Sequence, residues 1–250
     1  DNNNEEGKIL NKYNFISNIP LNIFQSWGTL DLPLNMKNNV DKLKRDNQEF
    51  KYYLYDDNMS RAFIMEYFDE EIVYTFDKLK PGAFKSDLWR LCILYIYGGI
   101  YLDIKFYCDT GFKLLYLTNK PYYVRDINTP IPKIAYIENS LYDSKEFSYK
   151  QGVYNALLVS FPKNDLFLKL IYDIVQNVKL NLYYTCALGV TGPHIFCNRV
   201  LDINKLELFL ADNPLSISNY TTPILYIYDK YREEQNKYEI TKHYSVLWYQ

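Results

Sequence analysis

Pro81-Gly-Ala-Phe-Lys-Ser-Asp-Leu-Trp-Arg-Leu-Cys-Ile-Leu-Tyr-Ile-Tyr-Gly-Gly-Ile-Tyr-Leu-Asp-Ile-Lys105 is the stretch on which the fold turns. It reads as a helix, a two-glycine stop, a short strand and an acidic residue at the strand's end. From Leu88 to Tyr97 every residue is apolar or aromatic except Arg90, and a helix that is apolar all round is buried all round. Asp87 and Arg90, three apart, project from one face of it. Buried charge is costly unless it is paired or meets a polar ligand. Gly98 suits the left-handed position that ends a helix, and Gly99 suits a tight turn. Ile100, Tyr101 and Leu102 then form a strand that delivers Asp103 at its carboxyl end, where open α/β sheets bind their ligands. A carboxylate, a guanidinium, a phenol and a second carboxylate are expected around one point.

Toward the amino end, 19–27 is read as the first strand, with Pro20 at its entry. Met36, Val40 and Leu43 recur at helical spacing on a surface helix ending near Glu49. A second strand over 52–55 ends at Asp56-Asp57, one of which is expected to cap a helix over 59–68. The two carboxylates point apart, which disfavours an acid/base pair. A short helix over 71–79 breaks at Pro81-Gly82.

Toward the carboxyl end, 106–109 is expected to lead the chain away from the sheet. Residues 114–117 read as a short buried helix or strand, 122–125 as a strand, and 129–132 as a loop. Residues 138–151 have no clean period and are read as an insertion over the acceptor side of a site. Asn155 interrupts a buried strand over 153–159 and needs a partner. Leu166, Leu170, Ile174 and Val178 mark a helix over 165–178. Thr191, with Pro193 behind it, is placed to cap a helix through 195–201, whose amino end would attract an anion. Strand candidates at 206–210, 224–228 and 238–240 precede the closing His243-Tyr-Ser-Val-Leu-Trp248.

With 250 residues the chain suits one α/β domain over 14–250 behind a polar tail at 1–13. A net charge of −2 gives no electrostatic reason to bind nucleic acid. Tyrosine is abundant, at 27 residues; base composition of the genome accounts for most of them, and sugar stacking is the sharper alternative. Cys92, Cys108, Cys186 and Cys197 lack metal-type spacing and are expected as free thiols in a reducing compartment, the cytoplasm. An anchor upstream of Asp1 would instead place the domain in the secretory-pathway lumen. No apolar run is long enough to span a membrane. Two histidines, His194 and His243, exclude a multi-histidine zinc site. Phosphate-binding Gly-x-x-x-x-Gly-Lys loops, dinucleotide Gly-x-Gly-x-x-Gly loops and Gly-x-Ser-x-Gly nucleophile elbows are absent.

The run Ser86-Asp87-Leu-Trp-Arg90 through Tyr97-Gly-Gly-Ile-Tyr-Leu-Asp103 resembles the sugar-binding core of family 32 glycosyltransferases. These are the enzymes related to yeast initiating α-1,6-mannosyltransferase, with α-1,4-galactosyl- and α-1,4-N-acetylglucosaminyltransferases among them. The spacing is also similar to that of the large clostridial glucosylating toxins. The resemblance extends through the opening Ile-Pro-x-x-Ile-x-Gln-x-Trp pattern at 19–27 and the Thr-Gly-Pro at 191–193. It implies a GT-A fold, an α/β architecture with a Rossmann-like mixed central sheet flanked by helices. It also implies a hexosyltransferase with a UDP- or GDP-linked sugar donor, a glycan or protein-linked acceptor, and retention at the anomeric carbon.

By that resemblance Asp87 and Arg90 go to the donor sugar, Arg90 also reaching toward phosphate. Tyr101 and Asp103 go to ribose and diphosphate, with Ser86 on the donor side. Phe24, Gln25 and Trp27 lie against the nucleotide, Trp27 on the base. Asn155, Thr191 and Gly192 border the sugar, and Trp248 donates its indole N–H to a phosphate. Bland readings stand beside these: Trp27 as a core cap, Asn155 satisfied by backbone, Thr191 as a helix cap only, His243 as a surface residue. The family hallmark is Asp-x-Asp, whereas this chain has Asp103-Ile104-Lys105. Two readings follow. Either Asp103 with His243 or Ser245 still holds Mn²⁺ or Mg²⁺ while Lys105 points to solvent, or the Lys105 ammonium supplies the metal's charge. Two other functions share the motif: an inactive sugar- or nucleotide-binding module, and a toxin-like enzyme acting on proteins.

Overall fold

The computed structural model describes residues 16–126, 134–136, 152–184, 187–198, 208–210, 216–219, 222–238 and 243–247. The amino-terminal half alternates strand and helix: β1 (Asn22–Ser26), α1 (Leu34–Asp46), β2 (Lys51–Tyr55), α2 (Asp57–Tyr67), α3 (Glu70–Lys78), α4 (Gly82–Tyr97), β3 (Gly99–Leu102) and β4 (Phe106–Cys108). A 3-10 turn at Leu114–Leu117 leads to β5 (Tyr122–Asp126), β6 (Ile134–Tyr136), β7 (Gly152–Ser160), α5 (Asp165–Lys179) and β8 (Tyr183–Tyr184). After two more 3-10 turns, Ala187–Gly189 and Pro193–Asn198, come β9 (Leu208–Leu210), β10 (Ser216–Asn219), β11 (Thr222–Ile227), α6 (Tyr231–Tyr238) and α7 (Tyr244–Leu247).

Nine strands form one mixed sheet in the order β2-β1-β3-β7-β5-β9-β10-β11-β4, and β6 pairs with β8 separately. β1 runs parallel to both β2 and β3, and β7 lies antiparallel to β3. Helices flank this sheet, so the α/β class expected from the sequence is the one that forms. The period-two rule of strands sorts the side chains of β3. Ile100 and Leu102 enter one core with Ile23, Val124 and Leu157. Tyr101 enters the other, where α2 to α5 pack through Phe63, Phe76, Trp89 and Ile171.

Side-chain caps open three of the helices. Asp56 accepts a hydrogen bond from the Met59 amide at 2.8 Å, and Asp69 accepts from the Glu71 and Ile72 amides at 3.1 Å. Asn164 caps α5 through the Leu166 amide at 3.1 Å. In α4, Leu88, Trp89, Leu91, Cys92, Ile93 and Leu94 are all at most 1% exposed, each contributing about 1.5–3 kcal/mol of burial. The two glycines after α4 are required on two counts. Gly98 has φ +62°, and a Cβ there would meet Pro162 Cδ at 2.6 Å. Gly99 has φ +120°, and its Cβ would meet the Asn22 carbonyl oxygen at 2.7 Å. Glycine therefore lets β3 leave the helix at once and lie directly against β1.

Three expectations are corrected. Residues 106–109 do not leave the sheet: Phe106–Cys108 is its edge strand, pairing antiparallel with β11. The segment after Thr191 is a 3-10 turn, Pro193–Asn198, rather than the start of an α-helix. Tyr238 ends α6 instead of opening a strand. The expectations at 1–13, 129–132 and 138–151, and that for Trp248, lie outside the described residues.

Candidate active site

The tip of β3 is fixed by side chains from its neighbours. Gln25 of β1 donates from Nε2 to the carbonyls of Leu102 (3.1 Å) and Asp103 (3.3 Å), and its own amide oxygen accepts from the Tyr52 hydroxyl at 2.8 Å. Asn39, buried on α1, donates to the carbonyls of Ile104 and Phe106, both at 3.0 Å. The Asp103 amide donates to the Ala156 carbonyl at 2.8 Å, and the Tyr228 amide donates to the Lys105 carbonyl at 3.1 Å. Every carbonyl from Leu102 to Phe106 thus has a donor. A backbone pinned this way presents the Asp103 and Lys105 side chains in a fixed geometry before any ligand arrives.

Four charges converge on this tip and on α4. The Arg90 guanidinium lies 3.1 Å from Asp87 and 3.6 Å from Asp103. Its remaining donors reach the Asn155 carbonyl (2.7 Å), the Ser86 carbonyl (3.1 Å) and the Ser86 hydroxyl (3.0 Å), and it stacks 4.3 Å above the Tyr101 ring. Asp87 accepts from the Thr191 hydroxyl at 2.7 Å and from Asn155 Nδ2 at 3.0 Å. Asp103 accepts from the Tyr101 hydroxyl at 2.9 Å on one oxygen and from Lys105 Nζ at 2.6 Å on the other. Two carboxylates and two cations therefore balance.

Burial pushes the Asp87 carboxyl up from its ordinary range, against the Arg90 charge and the Thr191 and Asn155 hydrogen bonds. Burial acts on Asp103 too, but the charges of Lys105 and Arg90 outweigh it and hold that carboxyl below the usual range. Desolvation works against the Lys105 ammonium, yet the Asp103 carboxylate more than compensates and keeps it protonated. Like-charge repulsion between Asp87 and Asp103 raises Asp87 further.

An open cleft of about 850 Å³, solvent included, begins at this cluster. Arg90, Tyr101, Asp103, Ser86 and Trp27 line it, so five of the residues singled out in the sequence share one wall. The others are placed differently. Asp87, Asn155 and Thr191 form a layer behind Arg90 that holds the guanidinium. Thr191 therefore spends its hydroxyl on Asp87, not on a helix cap. Gly192 packs against Leu188, where a Cβ would come within 3.1 Å of the Leu188 carbonyl. Phe24 is buried in the core, stacked on Tyr53 at 5.2 Å. Gln25 pins the strand tip from the core side. Lys105 is 8% exposed, its ammonium lying against Asp103 and between the rings of Phe106 and Tyr154.

Among the lining residues that sequence reasoning missed are Asp57, Lys85, Tyr231 and Gln235. Asp57 and Lys85 form a loose pair at 3.9 Å on the cleft wall. Lys85 lies just before Ser86 in the first turns of α4, and that adjacency was the available signal. Tyr231 and Gln235 reach the cleft from α6, a helix whose sequence carries no apolar period to announce it.

A divalent metal, implied by the Asp-x-Asp resemblance, does not fit these donors. Both Asp103 oxygens are already engaged by donors of this chain, and an ammonium stands where a second ligating carboxylate would be. His243 has its pKa lowered, by burial first and then by the charges of Arg232 and Lys105, and it is not among the residues that line the cleft. The Ser245 side chain lies outside the described ones. No group of three or more His, Cys, Asp or Glu side chains able to hold a metal occurs among the described residues.

Residues 33–119 match the model of the glycosyltransferase sugar-binding region containing DXD motif. That region is the stretch that builds α1 to α4, β3 and the charged tip. The chain is 28% identical over 176 residues to a mannosyl phosphorylinositol ceramide synthase of Saccharomyces cerevisiae, covering 70% of this chain and 40% of that one. It is 35% identical over 92 residues to an uncharacterized glycosyltransferase of Acanthamoeba polyphaga mimivirus, covering 36% of this chain and 37% of the relative. The chain thus spans less than half the length of both. Among solved structures it is similar to PaToxG glycosyltransferase, with a TM-score of 0.48, 14% identity, and coverage of 73% of this chain and 69% of that one.

Proposed function

We propose that this chain is a glycosyltransferase, family 32-like and of the GT-A type, that moves a hexosyl group from a UDP- or GDP-linked sugar to a hydroxyl of a glycan or protein-linked acceptor, with retention. One domain over 14–250 carries the whole donor site. The supporting observation is the pairing of Arg90 with Asp103, 3.6 Å apart on the wall of one cleft, within the segment that matches the sugar-binding region. In this reading Arg90 meets the donor at the sugar and the diphosphate, and Tyr101 and Asp103 bind the ribose and diphosphate. Trp27, at the cleft's edge, stacks on the base, an interaction that contributes roughly 1–3 kcal/mol.

Transfer breaks the bond between the anomeric carbon and the diphosphate oxygen, which leaves with the electron pair. The acceptor oxygen forms the new bond, and its proton passes to the departing phosphate. Fixed charge that meets the leaving group before reaction is usually the largest catalytic contribution. The layer of Asp87, Asn155 and Thr191 keeps Arg90 in place for that step. No helix among the described residues is long and apolar enough to cross a membrane. The cytoplasm is the proposed compartment, supported by the buried free thiols of Cys92 and Cys108.

The test is a panel of UDP- and GDP-hexoses incubated with the full chain, with released nucleoside diphosphate and free sugar measured. Slow hydrolysis of one donor, lost in Arg90→Lys, is the expected result. Absence of hydrolysis and of binding for every donor by the folded protein would overturn the proposal. Binding without any turnover would favour the sugar-binding module instead.

A further inference from the structure

We infer that the diphosphate subsite of this cleft works without a divalent metal, the ammonium of Lys105 replacing the metal's charge and Lys85 and Arg90 meeting the ligand from the cleft wall. The inference rests on the nucleotide-sugar reading above and sharpens it. A metal site needs carboxylate lone pairs free to coordinate. Here each Asp103 oxygen already accepts from this chain, one from Tyr101 at 2.9 Å and the other from Lys105 at 2.6 Å, and the ammonium on the second repels any cation arriving there. A metal could enter only by expelling a buried ammonium from a neutral, fully partnered cluster, at the cost of leaving that charge unpaired.

The placement of Lys105 suits this role more than a purely structural one. Its side chain is 11% exposed. It is held by Asp103, which itself faces the cleft. The backbone on either side is pinned by Asn39 and Tyr228, so the ammonium cannot swing out to solvent without unpairing Asp103. The result is a fixed positive charge one carboxylate away from the ligand. Meanwhile Lys85, 3.9 Å from the Asp57 carboxylate, and Arg90 present charge on the wall itself. A nucleoside diphosphate carries two to three negative charges and would find three cations of the chain near one point, Lys85, Arg90 and Lys105, set against Asp57, Asp103 and the buried Asp87. Lysine serves phosphate as a point charge and needs no bidentate geometry.

The experiment is titration calorimetry of UDP and GDP into the full chain, once with EDTA and once with Mn²⁺. One nucleotide is expected to bind with a dissociation constant that Mn²⁺ changes by no more than about twofold, a margin well under the tenfold that a single good interaction is worth. Lys105→Met should weaken binding in EDTA by about tenfold or more per folded molecule, whereas a purely structural lysine would lower the melting temperature and leave the dissociation constant alone. Lys105→Asp, which recreates a second carboxylate, should bind Mn²⁺ by electron paramagnetic resonance and should make nucleotide binding depend on it. Binding by the unaltered chain only when Mn²⁺ is present would overturn the inference while leaving the glycosyltransferase reading intact. An unchanged dissociation constant in Lys105→Met would remove Lys105 from the subsite. Failure of the folded chain to bind either nucleotide, with or without Mn²⁺, would overturn both.

Discussion

Asp103 and Glu234 are both carboxylates held below their ordinary pKa, and they are held by opposite means. Glu234, on α6, reaches the amino end of α1. It accepts from the backbone amides of Asn35 and Met36, each at 2.9 Å, from Asn35 Nδ2 at 2.7 Å and from the Tyr228 hydroxyl at 3.0 Å. All of its partners are neutral, and together with the helix dipole they saturate it. Asp103 instead sits among Lys105, Arg90 and a second carboxylate, on the wall of an open cleft. A carboxylate needed only for the fold can be satisfied with neutral donors and no surplus charge, as Glu234 is. The strand tip keeps four charges together, two of each sign, in a place where the fold alone would be served by fewer. The contrast separates a structural latch from a site built around a ligand's charge. The two regions are also linked, because α6 carries Tyr231 and Gln235 to the same cleft.

The largest expected effect breaks the charged side of this comparison. Arg90→Met leaves Asp87 buried without its cation, and removing one partner of a buried pair costs about 3–5 kcal/mol. Denaturant unfolding should show that loss, and donor hydrolysis should disappear. Adding Asp87→Asn should restore much of the stability, since Asn keeps partners in Asn155 and Thr191, but none of the turnover. If turnover returned with stability, Arg90 would be structural only.

A smaller effect is expected at the latch. Glu234→Ala strands the amides that open α1 and should cost about 1–3 kcal/mol, with faster hydrogen exchange at Met36. Because α6 then loosens, the donor KM should rise more than kcat falls. Glu234→Gln should cost less than the alanine variant, because it retains an acceptor.

The acid limb of stability sharpens the contrast. The Glu234 pKa lies below its ordinary value of 4.5: burial would raise it, but the hydrogen bonds from Asn35, Tyr228 and Met36 prevail. Its contribution is present above that value and is lost as pH falls through the folded pKa. Asp103 behaves in the same sense. Asp87, raised by burial, acts in the opposite sense, since its protonation in acid relieves the fold. Stability measured from pH 5 down to pH 3, a range bracketing the ordinary carboxylate values, should fall less steeply in Glu234→Gln and more steeply in Asp87→Asn.

The smallest effect is reserved for an exposed pair. Arg61 and Asp77 meet at 2.7 Å, but both are more than 40% exposed. Arg61→Ala should leave the denaturant midpoint close to that of the unaltered chain and hydrolysis unchanged. A loss as large as that at Glu234 would contradict the claim that burial, rather than ion pairing as such, gives these carboxylates their weight.

Much of this was legible in the sequence because the decisive signals are local. The apolar run of α4, the glycines at 98 and 99, and Asp56 before α2 each act within a few residues of themselves. What was missed depends on partners far away in the chain. Phe106–Cys108 has only three residues, and its partner β11 begins more than a hundred residues later, so no period could announce it. Gln25 and Asn39 carry the strand tip by hydrogen bonds to backbone carbonyls, which leave no trace in residue type at the receiving end. Glu234 is buried on a helix that reads as wholly polar, and its purpose appears only when the amino end of α1 arrives beside it. At the site, the residue types were readable but their layering was not. Asp87 and Arg90 share a helix face as expected, yet Arg90 faces the cleft while Asp87 stands behind it.

The central claim is tested most directly by a crystal structure of the chain soaked with the nucleotide-sugar that it hydrolyses or binds. The account predicts diphosphate oxygens within about 3 Å of the Arg90 guanidinium, a normal hydrogen-bond distance, with the ribose and diphosphate against Tyr101 and Asp103. Density for the donor elsewhere on the surface, with Arg90 and Asp103 still facing an unfilled cleft, would contradict it.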